Sequence, residues 1–284
     1  MSLLDASSQV RIASLVPSLT ELAVALGLGE RLVARTGWCI HPAEAVARVP
    51  KIGGTKTVNL AKLRRLAPTH VLVNIDENLR ETVESIRAWG EAAPEIVVTH
   101  PVDPEDNLAL VARMVAHFGA LPEVGELAEA LSAALRRELE LTQPAGRPPV
   151  NVLYLIWHGP WMTVARDTYL SRMLGRVNWQ TLPALDGGAT GAARYPVLTG
   201  SEPWLDQVES VLLSSEPFAF ETGHVEAAQA LCPNARVRRV DGELLSWYGS
   251  RAVAGLAYLR ALADDNRDLD RTAAQAPTPR RWTS

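Results

Sequence analysis

The chain has 284 residues and nearly balanced charge, 28 Lys and Arg against 32 Asp and Glu, for a net charge of −4. That balance gives no reason to expect nucleic acid or an anionic membrane surface as partner, and no stretch approaches the ~18 continuous apolar residues of a membrane span. The length exceeds the usual single-domain size and accommodates two α/β lobes with separate cores.

Met1–Gln9 contains no Lys or Arg and one acid, Asp5. The apolar run that follows is cut short at Pro17, so the pattern of a secretory leader is not evident. The chain is therefore expected in the cytoplasm, or in the periplasm if a leader has been removed. Val10–Val16 reads as a buried strand, and a helix from Ser18 to about Gly27 follows it. Ser18 with Glu21 three residues on has the spacing of a capping box. The other reading of Ser18 and Thr20 is that the amides of this helix start face a polar ligand group. A short strand at Leu32–Arg35 leads to the loop Thr36–Pro42, which holds Trp38, Cys39 and His41. Cys39 and Cys232 form no metal-ligand spacing and no CxxC pair, which fits a reducing compartment.

Helix Asn59–Leu66, strand His70–Ile75, helix Glu77–Trp89 and strand Glu95–Thr99 complete a first series of βα units. Their alternation predicts a mostly parallel sheet. Asn74, Asp76 and Glu77 close the central strand; the two acids suit either a ligand-facing rim or the positive end of the following helix. Pro104–Phe118 is an amphipathic helix. Val124, Leu127, Leu131, Leu135 and Leu139 then form one apolar stripe over Pro122–Thr142. A helix of that length spans about 30 Å, enough to cross between two lobes as a stiff connection.

After the loop Gln143–Pro149 the opening pattern returns. Val150–Ile156 is a second apolar strand, and it runs into Trp157-His158-Gly159-Pro160-Trp161. Ser210–Ser214 leads to Ser215-Glu216-Pro217-Phe218 much as His70–Asn74 leads to Asp76. A buried strand ending in polar and aromatic residues is the ligand-facing rim of an open α/β sheet, and two such series predict two rims facing one cleft. Ser246–Leu262 reads as a helix, and the polar segment from Asp264 to Ser284 as disordered. The division is residues 1–103 as an amino-terminal α/β lobe, 104–149 as linking helices, 150–263 as a carboxy-terminal α/β lobe and 264–284 as a tail.

Catalytic signatures are scarce. The chain has no GxSxG elbow, no phosphate-binding GxxxxGK[ST] loop, no HExxH and no GxGxxG after a strand. A Cys39–His41 pair is conceivable because residues two apart in a strand share a face. His41 and His158 are also candidate axial ligands for cobalt or iron. Trp, with eight copies, outnumbers five Tyr and three Phe. Indole combines a large apolar face with one donor and suits a pocket for a flat ligand as well as a core.

The run Arg11-Ile-Ala-Ser-Leu-Val-Pro-Ser-Leu-Thr-Glu21, with Gly37-Trp-Cys-Ile-His-Pro42, Lys51-Ile-Gly-Gly54, Asn59-Leu60, Tyr195-Pro196 and Asp241-Gly-Glu-Leu-Leu-Ser-Trp-Tyr-Gly249, resembles the helical-backbone metal-receptor superfamily. These are the cobalamin, haem and siderophore substrate-binding proteins of ABC importers. The resemblance implies two Rossmann-like lobes joined by a backbone helix. It implies a bulky metal chelate, such as a corrinoid, held between the lobes as ligand, with no cofactor required and no enzymatic activity. Trp38 and Tyr195 match aromatics that pack on the corrin. The place of a third aromatic is taken by Thr55 or Lys56, and Trp157 and Trp161 stand where they can replace it. Thr55, Asn74, Asp76, His158, Ser215, Glu216 and Trp247 complete the expected rim, with Ser18, Thr20, Cys39 and His41.

Importer-coupled relatives carry one docking carboxylate per lobe; the matching positions here are Ala61 and Ser201, with Glu202 beside the latter. Permease docking of the usual kind is therefore not expected. The resulting expectation is a chelate-binding protein not coupled to an importer. The alternatives are an importer receptor whose leader has been removed, and a cobalamin- or haem-processing enzyme using Cys39, His41 or Asp76.

Overall fold

The computed structural model describes the backbone of residues 10–275 and the side chains of residues 10–265. The first lobe contains β1 (Ile12–Ser14), α1 (Pro17–Ala25), β2 (Leu32–Arg35), α2 (Ala43–Val46), α3 (Leu60–Arg65), β3 (His70–Asn74), α4 (Arg80–Arg87) and β4 (Glu95–Thr99). Two helices follow, α5 (Asp106–Phe118) and α6 (Pro122–Leu141). The second lobe contains β5 (Val150–Leu155), α7 (Tyr169–Gly175), β6 (Trp179–Thr181), β7 (Ser210–Ser214), α8 (Thr222–Leu231), β8 (Arg236–Val240), α9 (Gly242–Ser246) and α10 (Arg251–Gln275).

The two sheets have the same permuted order, β2-β1-β3-β4 and β6-β5-β7-β8. All pairings are parallel, as between Ile12 and His70 in the first sheet and Val152 and Ser210 in the second. The central strands are covered on both faces, so their middle residues, as in Val71–Val73 and Val211–Leu213, are apolar and buried. The strand order reverses between β1 and β3 and again between β5 and β7. In an open α/β sheet that reversal opens a crevice at the carboxyl ends of the strands. It falls at residues 15–18 and 75–78 in one lobe and at 156–158 and 215–218 in the other.

Helix α6 connects the lobes through its packing. Val124, Ala128 and Leu135 belong to the first lobe's core with Leu19, Leu22 and Phe118, whereas Leu139 lies in the second lobe's core with Val152 and Met173. It is not the single crossing expected. In α10, Ala252 packs into the first core and Leu256, Leu259 and Ala263 into the second. Arg260 donates to Glu138 at 2.8 Å and to Thr142 at 2.9 Å, tying the two crossing helices together.

Several local expectations change. Pro17 occupies the first turn of α1 and Val16 is its amino-terminal flank without a side-chain cap, so Ser18 and Glu21 do not form a capping box. Proline already has the dihedral angle that starts a helix and lacks an N–H to be capped. The helix expected from Glu77 begins at Arg80; Asp76 and Glu77 instead sit in a turn in which Asn78 N–H donates to Asn74 O at 3.0 Å. The helix expected from Ser246 is split. Asp241 caps α9 by accepting from Leu244 N–H at 3.0 Å, and Gly249, at φ +83°, turns the chain into α10. That helix continues to Gln275, so residues 264–275 extend it rather than begin a disordered tail, and 276–284 lie outside the described residues. No described helix is long and apolar enough to cross a membrane.

Candidate functional site

The carboxyl ends of the strands bring together a polar seam between the lobes. In the first lobe, β3 ends at Asn74, whose Oδ1 accepts from Asp76 N–H at 2.8 Å and shapes the turn. This turn presents Asp76 and Glu77 toward the second lobe. Arg194, 1% exposed, donates from Nη2 to Asp76 Oδ2 at 3.3 Å and from Nη1 to the Gly188 carbonyl at 2.6 Å. His100, following β4, places Nε2 3.4 Å from the same Asp76 oxygen. Tyr248 donates to Glu77 Oε1 at 2.8 Å. Burial pushes the Glu77 carboxyl up to about 7, and the neighbouring Glu216 and Asp76 charges push the same way against the Tyr248 hydrogen bond.

A second set of contacts closes the seam farther along. Arg251 donates to Glu21 at 2.7 Å and also to Glu243, which lies 3.4 Å from His41. The Arg251 guanidinium covers the Trp247 ring at 4.4 Å, and His41 meets the edge of that ring at 5.8 Å between centroids. Trp247 Nε1 donates to Glu216 Oε1 at 2.7 Å, and Ser246 donates to the same oxygen at 2.9 Å. Burial raises the Glu216 pKa above its ordinary value despite these two donors. Three buried atoms within the first set, Asp76 Oδ1, His100 Nε2 and Arg194 Nε, have no hydrogen-bond partner among the described residues. A buried polar group left unpaired costs about 1–3 kcal/mol.

Aromatic side chains occupy the loops after β2 and β5. Trp38 is 68% exposed and Trp157 40%. Trp157 meets Phe218 edge-on at 5.3 Å, Trp161 stacks on Phe220 at 6.2 Å, and His158 packs against Trp161 at 4.3 Å and His224 at 5.0 Å. Tyr195 is half-buried beside Arg194 and packs on the second core. Ser18 is buried in the first turn of α1, with its hydroxyl toward Tyr248.

Other candidates serve the lobes themselves. Thr20 donates to Val16 O at 2.9 Å and to Ser14 Oγ at 2.8 Å inside the first lobe. Cys39 is fully buried against Thr36 and Ser14, and burial raises its thiol pKa, so it forms no nucleophilic pair with His41. Asn74 is committed to the turn and to Thr99. Thr55 contributes its carbonyl to Asn78 Nδ2 at 3.0 Å, and Ser215 accepts from Gly242 N–H at 2.8 Å. Among the described residues no group of three or more His, Cys, Asp or Glu is placed to hold a metal ion. Arg194, His100, Glu243, Tyr248, Arg251, Phe218 and His224 were not singled out from sequence. Tyr248 lies within the Asp241–Gly249 motif, but nothing local distinguishes Arg194 or His100.

No family profile matches the chain. A vitamin B12-binding protein of Vibrio cholerae is 25% identical over 221 residues, 76% of this chain and 73% of that protein. An uncharacterised ABC transporter substrate-binding lipoprotein of Bacillus subtilis is 22% identical over 263 residues, 88% of this chain and 78% of that one. Among solved structures, the periplasmic vitamin B12-binding protein of Vibrio cholerae superposes with a TM-score of 0.74 at 20% identity, covering 90% of this chain and 97% of the other. A periplasmic heme-binding protein from Roseiflexus superposes at 0.73 and 22% identity, covering 90% and 98%. Nothing in these descriptions supports the expected cytoplasmic placement. The chain therefore has the two-lobed, helix-linked fold of these periplasmic vitamin B12- and heme-binding proteins.

Proposed function

We propose that the cleft holds a corrinoid-like metal chelate as a bound ligand that is not chemically changed. What supports this is an exposed indole on a strand-end loop of each lobe, Trp38 after β2 and Trp157 after β5, together with the buried polar groups of the seam. Flat apolar faces cover a macrocycle while a few fixed donors and acceptors orient its periphery. The charge of the seam favours a corrinoid over haem. Asp76, Glu77, Glu216 and Glu243 face two guanidinium groups, Arg194 and Arg251, which are already paired with carboxylates. Two propionates would add like charge to that seam, whereas the neutral amides of a corrinoid can donate to the carboxylates and accept from Arg194 Nε. The 25% identical vitamin B12-binding relatives support the same choice.

The surface gives a carboxylate dock little support. Ala61 and Ser201 bear no charge, and Glu202 is turned back onto the loop, accepting from Thr199 N–H at 2.6 Å and Gly200 N–H at 3.0 Å. Those amides hold its pKa below the ordinary range. We read the protein as a periplasmic-type binder whose handover does not use the usual pair of carboxylates. Titration with cyanocobalamin and with haemin, followed by calorimetry and absorption spectra, tests the assignment. Saturable 1:1 binding of cobalamin, tighter than haemin, is expected; exclusive binding of haemin overturns the corrinoid reading.

A further inference from the structure

The longest acid-free stretch of the chain lies between Glu44 and Asp76 and carries six cations, Arg48, Lys51, Lys56, Lys62, Arg64 and Arg65, although the whole chain has a net charge of −4. Among the described residues none of the six joins an ion pair, whereas Arg172, Arg176, Arg194, Arg251 and Arg260 all do. Three of them fall on α3, whose Asn59 cap accepts from Lys62 N–H at 2.9 Å. Positions 61, 64 and 65 are spaced i, i+3, i+4 and share one face. With Leu60 and the Trp89 indole they line an open surface recess of about 520 Å³. The Arg64 guanidinium lies over the Trp89 ring, 5.7 Å from its centroid. A guanidinium stacked in this way keeps its N–H edge free to meet a carboxylate bidentately.

We propose that this face of the first lobe is a docking surface for an acidic segment of a partner protein. That segment would bring a carboxylate to Arg64 and Arg65 and an apolar side chain to the recess floor formed by Ala61, Leu60 and Trp89. The charge is complementary to acidic groups alone, because no carboxylate from this stretch competes for the guanidinium groups. Trp89 is half-buried beneath Arg64 rather than projecting, so no apolar side chain stands out from this face to enter a lipid surface. The small Ala61 leaves the space that a longer residue would fill. This surface is independent of what the cleft binds.

The test uses the whole protein without added chelate and a fluorescein-labelled peptide of alternating Glu and Asp around a central Phe. Anisotropy at low salt is expected to show saturable binding, weakened at least about tenfold by Arg64→Glu, by Arg65→Glu or by raising salt to about 0.3 M. Ala61→Glu places a carboxylate one turn before both arginines and is expected to weaken the peptide similarly through an intrahelical pair. Arg64 and Arg65 are exposed, and circular dichroism confirms that the variants fold. The proposal is overturned by absence of saturable binding, by binding indifferent to both reversals, or by equal binding to phosphatidylglycerol vesicles. Sedimentation showing self-association abolished by the same reversals overturns it too, since the occupant is then a second copy of the chain.

Discussion

Glu77 supplies the most exacting check on the seam. Its carboxyl is raised from 4.5 to about 7, chiefly by burial, while accepting the Tyr248 hydroxyl. At about 1.4 kcal/mol per pH unit, that displacement corresponds to about 3 kcal/mol, an upper bound because the residue keeps some contact with solvent. The sign follows from proton counting. Between pH 4.5 and 7 the native protein holds a proton that the unfolded chain has released, so stability falls as pH rises. The contribution is fully present below about pH 4.5 and is lost as pH passes about 7. Glu77→Gln removes the titration and keeps a carbonyl that can accept from Tyr248. Urea unfolding of wild type and variant should therefore converge near pH 4.5 and diverge toward pH 8, with the variant more stable by up to about 3 kcal/mol. Other groups titrate in the same range, including His70, whose pKa burial lowers, but they cancel in the difference. Parallel pH profiles for the two proteins would refute the buried placement of Glu77.

Replacing Arg194 by Met leaves Asp76 in the seam without its guanidinium, and a broken buried pair costs about 3–5 kcal/mol; the low end is expected here because Asp76 is 19% exposed. A double-mutant cycle with Asp76→Asn in denaturant unfolding should give a coupling above about 1 kcal/mol, and additive losses would dismiss the pair. Trp38→Ala and Trp157→Ala should each weaken cobalamin by roughly 1–3 kcal/mol, using base stacking on aromatics as analogue, with little change in melting temperature. Unchanged calorimetric affinity in both variants would move the ligand elsewhere. Because α6 and α10 both cross between the cores, ligand should change the radius of gyration little, and small-angle scattering that shows a large contraction would contradict a stiff connection.

The connection has a physical consequence for the cleft. Extended hinge strands can rotate about a few dihedral angles, but bending two packed helices breaks backbone hydrogen bonds and core contacts together. Asn107 adds to this stiffness. It is fully buried, donates to Tyr169 Oη at 2.9 Å and accepts from Gly249 N–H at 2.5 Å, joining α5 to α7 and to the turn before α10. If the cleft binds as proposed, opening it requires breaking a small set of seam contacts, Asp76–Arg194, Glu77–Tyr248, His41–Glu243 and Glu21–Arg251.

The sequence by itself determined the parallel strands, the repeated lobe and the long crossing helix. Those features are local: an apolar run such as Val71–Val73 or Val152–Leu155 can only be a buried strand, and the stripe from Val124 to Leu139 has helical period. It also showed where the rims lie, because each central strand ends abruptly in polar or aromatic residues. What only the tertiary structure decided is which of those residues meet across the two lobes. Thr20 and Asn74 carry suitable groups but find nearer partners within their own lobe, and Cys39 is sealed by Ser14 and Thr36. A turn delays α4 to Arg80 and takes Asp76 and Glu77 away from the helix end. Arg194 and His100 lie 118 and 24 residues from Asp76 along the chain, yet both stand within hydrogen-bonding or ion-pair reach of its carboxylate. The first pairing depends on the registration of two lobes in space, the second on the pairing of β3 with β4 within one lobe. No spacing along one strand or helix encodes either, and the Asp76–Arg194 contact becomes visible only when the two cores have been packed against their shared helices.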